Sequence, residues 1–557
     1  MTFRIGNASG FYGDRFDAVK EMLTGGPLDV LTGDYLAELT MLILGRDKMK
    51  DASRGYARTF LRQLEENLSV AVDRGVKIVA NAGGLNPAGL AEALRELAAT
   101  LNLDVKIAYV RGDDLLPRAA EFGFDGALTA NAYLGAFGIA ECLGAGADIV
   151  VTGRVTDASL VVGPAAAHFG WARDDYDALA GATAAGHVLE CGAQATGGNF
   201  SFFTEHDLGH AGFPLAEIEA DGSCVITKHE GTGGAVTVET VTAQLLYEIA
   251  SPAYAGPDVV TAFDTLQLTQ DGPDRVRISG ATGTPPPETL KVCVNTLAGF
   301  RNSMTFVLCG LDIDAKAELV RCQLLDAVGA DGLTWTLART DHADADTEEA
   351  ASALLHVTIK TPDPKRAKAF SRASVELALA SYPGFTLTSP PGDGTPVGVY
   401  RPEYVPLDAV EHVAVLPDGT EKVIDPPVTG HTEPPAAQTE LFDVDFGPTK
   451  RLPLGVVAGA RSGDKGGDAN VGVWVRKADA YPWLAQELTV AKLRELLPEA
   501  AELDIDRYPL PNLNAVNFVI HGLLGEGVAA STRFDPQAKA VGEWLRSRTL
   551  DIPEALL

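Results

Sequence analysis

Short apolar runs typical of strands alternate with amphipathic helical patterns through the first part of the chain. The strand-like runs are FRIGN, LDVLTG, VKIVANAG, LDVKIAYV, GALTANA and ADIVVTG. Between them, stretches such as YARTFLRQLEENLSVAVDR and PAGLAEALRELAATLN repeat their apolar residues every three or four positions. This alternation predicts an α/β fold over residues 1–300, with a mostly parallel sheet covered by helices.

The polar residues at the carboxyl ends of these strands are candidate binding residues, because parallel sheets bind their ligands at that edge. They are Asp34 after LDVLTG, Asn81 and Asn86 after VKIVA, Asn131 in GALTANA, and Arg154 and Asp157 after ADIVVTG. An arginine at this edge can hold a carboxylate or phosphate, and an aspartate can move a proton. An alternative for Arg154 and Asp157 is a helix cap with an ion pair inside the domain.

The pattern changes after residue 300. From TFVLCGLD onward the order is strand, helix, strand, strand, helix, strand, which predicts a ferredoxin-like β-α-β-β-α-β module over about residues 301–390. The proline clusters SPPGDGTP, DPP and EPP then predict a loop-rich linker over about residues 390–448. Residues 449–557 contain the strand-like LPLGVVAGA, ANVGVWVR and LNAVNFVIHGLL, and they predict a small α+β domain.

Composition narrows the class of protein. The chain has 557 residues, too many for one hydrophobic core, and a formal net charge of −30. A surface of this charge repels phosphate backbones and acidic membranes, so we expect neither nucleic acid nor a membrane as partner. The six cysteines lie far apart, and MTFRIGNASG lacks a signal-peptide pattern, so we expect a cytoplasmic protein with reduced thiols.

The segment VLECGAQATGGNF offers one acid in a loop of small residues. Glu190 and Asn199 bracket glycines and alanines that let the backbone approach a ligand closely. We interpret Glu190 as a candidate acid or base and Asn199 as a candidate binding residue. A tight turn with a solvated Glu190 explains the same pattern equally well.

The segment KHEGTGGAVTVETVTAQLLYEI combines two proton-transfer groups with a glycine turn. His229 and Glu230 are candidate catalytic residues. Gly231, Gly233 and Gly234 follow, and a predicted helix comes next, so free amides at the helix start would bind the phosphates of an anionic ligand. The glycines alone are weak evidence, since they match neither the dinucleotide-binding nor the Walker pattern.

One pattern could indicate a metal site. EHDLGH places His206 and His210 four residues apart, but the glycines and the proline nearby disfavour a helix, so a surface loop is the favoured interpretation. The chain has no G-x-S-x-G elbow and no cysteine in a basic setting, which makes covalent serine or cysteine catalysis a minor hypothesis. We therefore predict no metal site and no cofactor, while a requirement for a divalent ion stays open.

Charged residues crowd among glycines in GARSGDKGGDANVG, between two strand-like runs. Arg461, Asp464, Lys465 and Asp468 alternate in sign, Asn470 follows, and the glycines permit turns with positive φ. An Arg–Asp ladder that braces a surface turn is one interpretation. The other, which we favour, is a binding loop that points at the strand-end cleft of the N-terminal domain, in the same chain or in a symmetry mate.

These motifs together resemble those of one known family. ARSGDKGGDANVGVWVR, together with TGDYLAELTM, NAGGLNP, TGRVTDASL, LECGAQATGGNF and HEGTGGAVT in the same order, is similar to the acyclic terpene utilisation family AtuA. The resemblance covers nearly the whole chain. It implies an N-terminal family domain and a separate ferredoxin-like C-terminal domain that carries the charged loop.

The resemblance also implies a pathway, the bacterial breakdown of branched acyclic terpenoids such as citronellol and geraniol, alongside a biotin-dependent acyl-CoA carboxylase and acyl-CoA dehydrogenases. We therefore expect an enzyme that acts by proton transfer on a branched acyl-CoA, with or without a further carboxyl group. The reaction would be hydration and dehydration, or carbon–carbon cleavage. The alternative is a non-catalytic protein that binds the acyl-CoA or the carboxylase. We expect a homo-oligomer in either case.

Overall fold

The computed structural model of the chain describes residues 2–430 and 444–557. Its contacts divide the chain into two compact units. Unit 1 consists of Met1–Asn295, Tyr400–Val528 and Asp535–Leu557, and unit 2 consists of Thr296–Val399 and Ala529–Phe534. In these described ranges, none of the helices is both long and apolar enough to cross a bilayer.

Strands and helices alternate at the start of unit 1. In chain order the elements are β1 (Phe3–Asn7), α1 (Ala18–Gly25), β2 (Val30–Gly33), α2 (Glu38–Lys50), α3 (Arg58–Arg74), β3 (Lys77–Ala80), α4 (Pro87–Thr100), β4 (Ile107–Arg111), β5 (Ala127–Ala132), α5 (Phe137–Gly144), β6 (Ile149–Thr152), α6 (Ser159–Phe169) and α7 (Tyr176–Leu189). The predicted mixed α/β class is confirmed. The helices form because their apolar residues recur on one face, as in α3, which buries Phe60, Leu64 and Leu68.

A sheet of eleven strands organises unit 1. Further strands and a helix follow as β7 (Pro214–Ile218), β8 (Cys224–Lys228), α8 (Val238–Leu245), β9 (Ala253–Ala255), β10 (Val260–Ala262), β11 (Gln267–Gln270), β12 (Val276–Ser279), β13 (Thr282–Thr284) and β14 (Thr289–Cys309). Neighbouring strands in the order β1-β2-β3-β6-β4 pair in parallel, and β7, β8, β12 and β11 extend the sheet antiparallel beyond β1. The carboxyl ends of β2, β3 and β6 therefore lie side by side.

Two expectations about this region are corrected. Strand β5, the run GALTANA, does not join the parallel sheet but pairs with β14, where the Tyr133 amide donates to the Lys291 carbonyl at 2.9 Å. The predicted linker contains β18 (Thr395–Pro406), β19 (Val413–Val415) and β20 (Glu421–Val423), and β19 pairs with β4 of the large sheet. Apolar residues such as Val413 and Val415 are buried there, which outweighs the flanking prolines. The EPP cluster lies outside the described residues.

Unit 2 is built on the C-terminal part of β14. It continues with α9 (Ile313–Val328), β15 (Leu333–Ala338), β16 (Ser352–Thr361), α10 (Pro364–Glu376) and β17 (Thr386–Leu387). The strands pair antiparallel in the order β15-β16-β14-β17. Its core includes Phe306, Leu355 and Phe370, all fully buried.

The C-terminal part of unit 1 has a second hydrophobic core. Its elements are β21 (Thr449–Pro453), β22 (Ala458–Lys465), β23 (Asp468–Val475), α11 (Tyr481–Glu487), α12 (Val490–Leu496), β24 (Ile505–Leu510), β25 (Ala515–Ile520), α13 (Val541–Ser547) and β26 (Thr549–Pro553). Four of the strands form an antiparallel sheet in the order β22-β23-β25-β24. Buried Val471, Val473 and Phe518 lie in this core.

The charged segment near the C-terminus is a hairpin and not the long loop that was expected. Strands β22 and β23 pair from Ala458 opposite Val475 to Lys465 opposite Asp468, so only Gly466 and Gly467 form the turn. Of the glycines expected to need positive φ, only Gly466 has it, at 67°. The charged residues thus lie on strands, where successive side chains point to opposite faces.

Candidate functional site

Ionisable side chains are concentrated inside unit 1, near the carboxyl ends of β2, β3 and β6 and at the β22–β23 hairpin. Electrostatic interactions link the members of this group to one another. We refer to it as the central cluster, and its members are Asp34, Glu38, Arg154, Asp157, His187, Glu190, Glu248, Lys291, Arg461, Asp464 and Lys465.

Asp34 and Asn81 follow directly after β2 and β3. The Asn81 side chain donates to Asp34 Oδ1 at 2.6 Å and accepts from the Tyr35 amide at 2.7 Å, so it fixes the Asp34 carboxyl group. Burial and the nearby Asp157 raise the pKa of Asp34 well above its usual value. Asn81 is therefore a positioning residue, because both ends of its side-chain amide already make hydrogen bonds within the protein.

Arg154 follows β6 and is 2% exposed. Its Nη1 donates to Asp157 Oδ1 at 2.7 Å and to the Leu36 carbonyl at 3.0 Å, and its guanidinium lies 4.2 Å from the centre of the Tyr133 ring. Its Nε is buried and has no hydrogen-bond partner among the described residues. A buried donor without a partner is costly, so Arg154 presents an N–H that a bound molecule can use.

Lys291 on β14 and Glu38 at the start of α2 add a second pair of charges. Tyr133 donates its hydroxyl to Glu38 Oε1 at 2.8 Å, and Lys291 Nζ lies 3.7 Å from the same oxygen. Although burial opposes ionisation, Lys291 and Arg154 lower the pKa of Glu38 to about 2. Glu38 is accordingly a fixed negative charge and no proton donor at neutral pH.

His187 and Glu190 lie at the end of α7. His187 Nδ1 is 3.1 Å from Glu190 Oε1, but neither ring nitrogen makes a hydrogen bond within the described residues, and Glu190 Oε2 is likewise buried without a partner. Burial and Lys465 lower the pKa of His187 to about 4. Burial, Asp157 and Glu248 raise the pKa of Glu190 well above its usual value. Burial thus favours the uncharged form of both groups.

The β22–β23 hairpin docks one face on the end of α8. A Cβ at Gly463 would lie 2.5 Å from the Tyr247 ring, and a Cβ at Gly472 would lie 2.5 Å from the Leu246 Cβ, so both positions need glycine for this close approach. The other face of β22 belongs to the C-terminal core, where the Ser462 hydroxyl accepts from the Gly542 amide at 2.8 Å. The alternation of the strand thus separates docking residues from core residues.

Arg461 belongs to the docking face. It is 7% exposed, donates Nη1 to the Asn199 carbonyl at 3.0 Å, and places its guanidinium 4.4 Å from the centre of the Tyr247 ring. Asn199 has a positive φ of 57°, which aims its carbonyl in an uncommon direction for a residue with a side chain. Arg461 Nη2 is buried without a partner among the described residues, as Arg154 Nε is.

Two buried asparagines hold Glu248 in place. Asn470 Oδ1 accepts from the Glu248 amide at 2.7 Å, and Asn470 Nδ2 donates to the Leu246 carbonyl at 2.9 Å and to Asn517 Oδ1 at 2.6 Å. Asn517 Nδ2 then donates to the Ala250 carbonyl at 2.7 Å. Glu248 has a φ of 55°, a strained value for glutamate that the two asparagines stabilise.

Asp464 and Lys465 complete the cluster at the tip of β22. Burial, reinforced by Glu248 and Glu38, raises the pKa of Asp464 to about 8. Burial and Lys291 lower the pKa of Lys465, against the attraction of Glu248, Glu38 and Glu190. Burial also raises the pKa of Glu248. An acid and a base whose pKa values both move toward neutrality are suited to proton transfer at physiological pH.

His229, Glu230 and the following glycines are not brought to the central cluster. The His229 ring packs on the Gly25–Gly26 turn, Nε2 lies 2.9 Å from the Met22 carbonyl, and Glu230 is exposed. The glycine turn does not start a helix, because α8 begins at Val238 with Thr237 as its cap. The Gly234 amide donates a hydrogen bond to the Asp207 carbonyl at 2.7 Å. The Gly234 amide is therefore not free and the turn does not start a helix, while phosphate binding at Gly231 and Gly233 stays a prediction.

Three other predicted binding residues have structural partners away from the cluster. Asn86 caps α4 by accepting from the Gly89 amide at 3.0 Å. Asn131 donates to Asp113 Oδ2 at 2.8 Å, and the same oxygen accepts from the Arg154 amide, so Asn131 supports Arg154 indirectly. Asp468 lies 2.9 Å from His521 Nδ1 and accepts from the Gly522 amide at 2.8 Å.

Sequence reasoning missed several members of the cluster. They are Glu38, His187, Glu248 and Lys291, together with the supporting residues Tyr133, Tyr247 and Asn517. The sequence does mark Glu38 as a candidate site residue, since it lies four residues after Asp34 in TGDYLAELT, shortly beyond a predicted strand end. Lys291 in ETLKVCVN and Glu248 in LLYEIA carry no comparable signal, because they reach the cluster only through long-range folding.

Over residues 2–430 and 444–557, the structure contains no group of three or more His, Cys, Asp or Glu side chains placed to share a cation. Burial, together with Glu190 and Glu248, raises the pKa of the nearby Cys191 well above its usual value, so its thiol is not activated as a nucleophile. Acid–base and oxygen-binding groups dominate the site.

Comparison with known proteins identifies a family for both parts of the chain. Residues 3–416 match the family model described as acyclic terpene utilisation family protein AtuA, and residues 452–551 match the AtuA ferredoxin-like domain. No curated protein and no solved structure gives a significant match. The resemblance seen in the sequence motifs is confirmed, and the second match assigns a ferredoxin-like domain to the part that carries the hairpin.

Proposed function

Since the chain belongs to the acyclic terpene utilisation family AtuA, we propose that it is an enzyme of acyclic terpenoid breakdown that performs acid–base chemistry on a branched acyl-CoA. The reaction is hydration and dehydration of a double bond, or carbon–carbon cleavage. Both reactions move a proton to or from carbon beside a thioester, and both develop negative charge on an oxygen.

One observation carries this proposal. Buried polar atoms without hydrogen-bond partners gather in the central cluster, and they include Arg154 Nε, Glu190 Oε2, both ring nitrogens of His187 and Arg461 Nη2. Native proteins leave few such atoms without a reason, and unpartnered groups from several elements that lie around one place indicate a bound molecule. The donors and acceptors among them match a substrate with carboxylate or carbonyl oxygens.

Each group has a role in the proposal. Arg154 and Arg461 hold a carboxylate or the thioester oxygen with their unused N–H groups. Glu190, whose pKa is raised by burial, and Lys465, whose pKa is lowered by burial, move the proton. Asp464 keeps a proton up to about pH 8 and can return it to the leaving group.

Turnover by the purified full-length chain tests the proposal. Branched acyl-CoA thioesters, with and without a second carboxylate, are offered and the products identified by mass spectrometry. We expect Glu190→Gln and Lys465→Met to lower kcat by about a hundredfold or more, since general acid–base groups contribute on that order. Glu217→Gln is the matched control, because Glu217 is a half-buried glutamate paired with Arg4 and Arg275 instead.

The same experiment separates an enzyme from a non-catalytic protein of the pathway. A chain that binds these thioesters without converting any of them would support the organising role and contradict the enzymatic one. Equal turnover in Glu190→Gln, Lys465→Met and the wild type would show that the central cluster is not where the chemistry occurs.

A further inference from the structure

A cavity of about 460 Å³ lies in unit 1, lined by none of the residues of the central cluster. Its volume is typical of sites for small organic ligands, which occupy roughly 300–1,000 Å³. Apolar side chains make up much of the wall, namely Leu134, Leu290, Leu407, Val410, Val423 and Ile424. Such a wall suits the hydrocarbon part of a ligand.

Arg173 gives the cavity a positive charge without a direct partner. Its guanidinium lies 4.3 Å from the centre of the Phe137 ring, and within the described part of the chain it has no hydrogen bond or ion pair. The other arginine of the wall, Arg118, is held by Glu121 at 2.6 and 2.8 Å and by the Ala409 carbonyl at 2.7 Å. Arg173 therefore keeps N–H donors for a ligand. Burial lowers its pKa, and the charges of Asp258 and Asp425 oppose this shift in part.

The acids of the wall limit what the cavity can accept. Asp258 is 8% exposed and accepts from the Ala136 amide at 2.7 Å, whereas Asp408, Glu411 and Asp425 are exposed. The exposed carboxylates are hydrated and screened, so they weaken the binding of an anion at Arg173 only moderately. Burial raises the pKa of Asp258, which favours its uncharged form and lessens its repulsion of an anion, although Arg173 opposes this shift. A second negative charge on the ligand would meet these acids and lose affinity.

The cavity is distinct from the central cluster. Leu290 and Lys291 are neighbours on β14, and successive side chains of a strand point to opposite faces. Leu290 lines the cavity, whereas Lys291 faces Glu38 in the cluster. A ligand in the cavity therefore does not occupy the proposed catalytic site.

We propose that this cavity binds a small aliphatic monocarboxylate, with its carboxylate on Arg173 and its hydrocarbon against the apolar wall. The inference is independent of the proposed function, since it uses none of the residues of the central cluster.

Isothermal titration calorimetry of the full-length protein tests this site with four probes of similar shape. They are 4-methylpentanoate, 4-methylpentan-1-ol, 4-methylpentan-1-amine and the dicarboxylate 3-methylglutarate. We expect the monocarboxylate to bind most tightly. Arg173→Gln should weaken it by about tenfold to a hundredfold, the usual loss for a hydrogen bond to a charged group.

Two control variants locate the binding. Arg118→Gln should retain most of the affinity, because Arg118 is already paired, and Glu190→Gln should retain all of it, because Glu190 belongs to the central cluster. If Arg173→Gln fails to fold, the order of the four probe affinities for the wild type still tests whether the protein prefers a monocarboxylate. Tighter binding of the amine or of the dicarboxylate, no binding of the monocarboxylate, or equal affinity in a folded Arg173→Gln protein would overturn the proposal.

Discussion

Replacing Asn470 with alanine should release the end of α8 from the hairpin. Asn470 is fully buried and makes three side-chain hydrogen bonds, of 2.7, 2.9 and 2.6 Å, to Glu248, Leu246 and Asn517. Each lost bond costs about 1 kcal/mol, and the buried partners left behind add to the cost, so the free energy of unfolding should fall by about 3–5 kcal/mol. Glu248 would lose the contact that stabilises its positive φ.

Denaturant unfolding measures the loss, and hydrogen–deuterium exchange shows where it occurs. Exchange over residues 246–250 should accelerate in Asn470→Ala. Asn302→Ala is the matched control, because Asn302 is also buried and donates to Ala367, Ser371 and Gly392 in unit 2, so it should cost similar stability without changing exchange at 246–250. A loss below about 1 kcal/mol, or unchanged exchange over 246–250, would refute the positioning role.

Three further predictions concern the same site. Because the folded pKa of Asp464 is about 8 and the unfolded value is about 3.9, the folded state binds the extra proton in between, so this group contributes stability below about pH 4 that is lost as pH rises toward 8. Asp464→Asn should therefore gain stability relative to wild type as pH rises from 5 to 8 in denaturant titrations, and a parallel pH dependence would contradict this. Arg461→Lys keeps the charge but loses the planar guanidinium whose Nη1 donates to the Asn199 carbonyl, so KM should rise more than kcat falls, while the reverse pattern would argue against a binding role. Iodoacetamide should label exposed Cys322 well before Cys191, whose pKa is raised by burial, and mass spectrometry showing Cys191 labelled first would be inconsistent with the structure.

Part of the site could be predicted because it follows strand ends. Asp34, Arg154 and Asp157 come directly after short apolar runs, and the rule for parallel sheets places such residues at one edge. The hairpin residues Arg461 and Lys465 could be predicted as site residues because charged side chains among glycines indicate partners that hold them. That these residues lie together is shown by the structure, and their role in catalysis stays a prediction.

The rest of the site could not be predicted from local pattern. Glu248 lies three residues after the end of α8 and Lys291 lies within a strand, and neither position is marked by composition or spacing. His229 shows the opposite error, since a histidine beside a glutamate and glycines suggests chemistry, but its ring is used by the Met22 carbonyl and the Gly25–Gly26 turn. Only tertiary contacts separate a structural histidine from a catalytic one.

The linker was misread for a different physical reason. Prolines are excluded from central strands but tolerated at edges and strand ends, so proline clusters do not prevent the short strands β18, β19 and β20. The alternating apolar residues around Val413 and Val415 indicate strand more reliably than the prolines nearby indicate loop. Their pairing with β4 depends on residues roughly 300 positions earlier, which no local pattern reports.

The central claim is that the chain moves protons at a carbon of a branched acyl-CoA, and deuterium exchange tests it most directly. The purified protein is incubated in D₂O with branched acyl-CoA thioesters, and mass spectrometry follows deuterium in the acyl group. Hydration places a solvent proton on carbon, carbon–carbon cleavage does so when the leaving carbanion is protonated, and dehydration does so in its reverse direction. The assay therefore covers all three reactions. The account predicts incorporation with the wild type that slows by about a hundredfold or more in Glu190→Gln. No incorporation with any thioester, or equal rates in the two proteins, would contradict it.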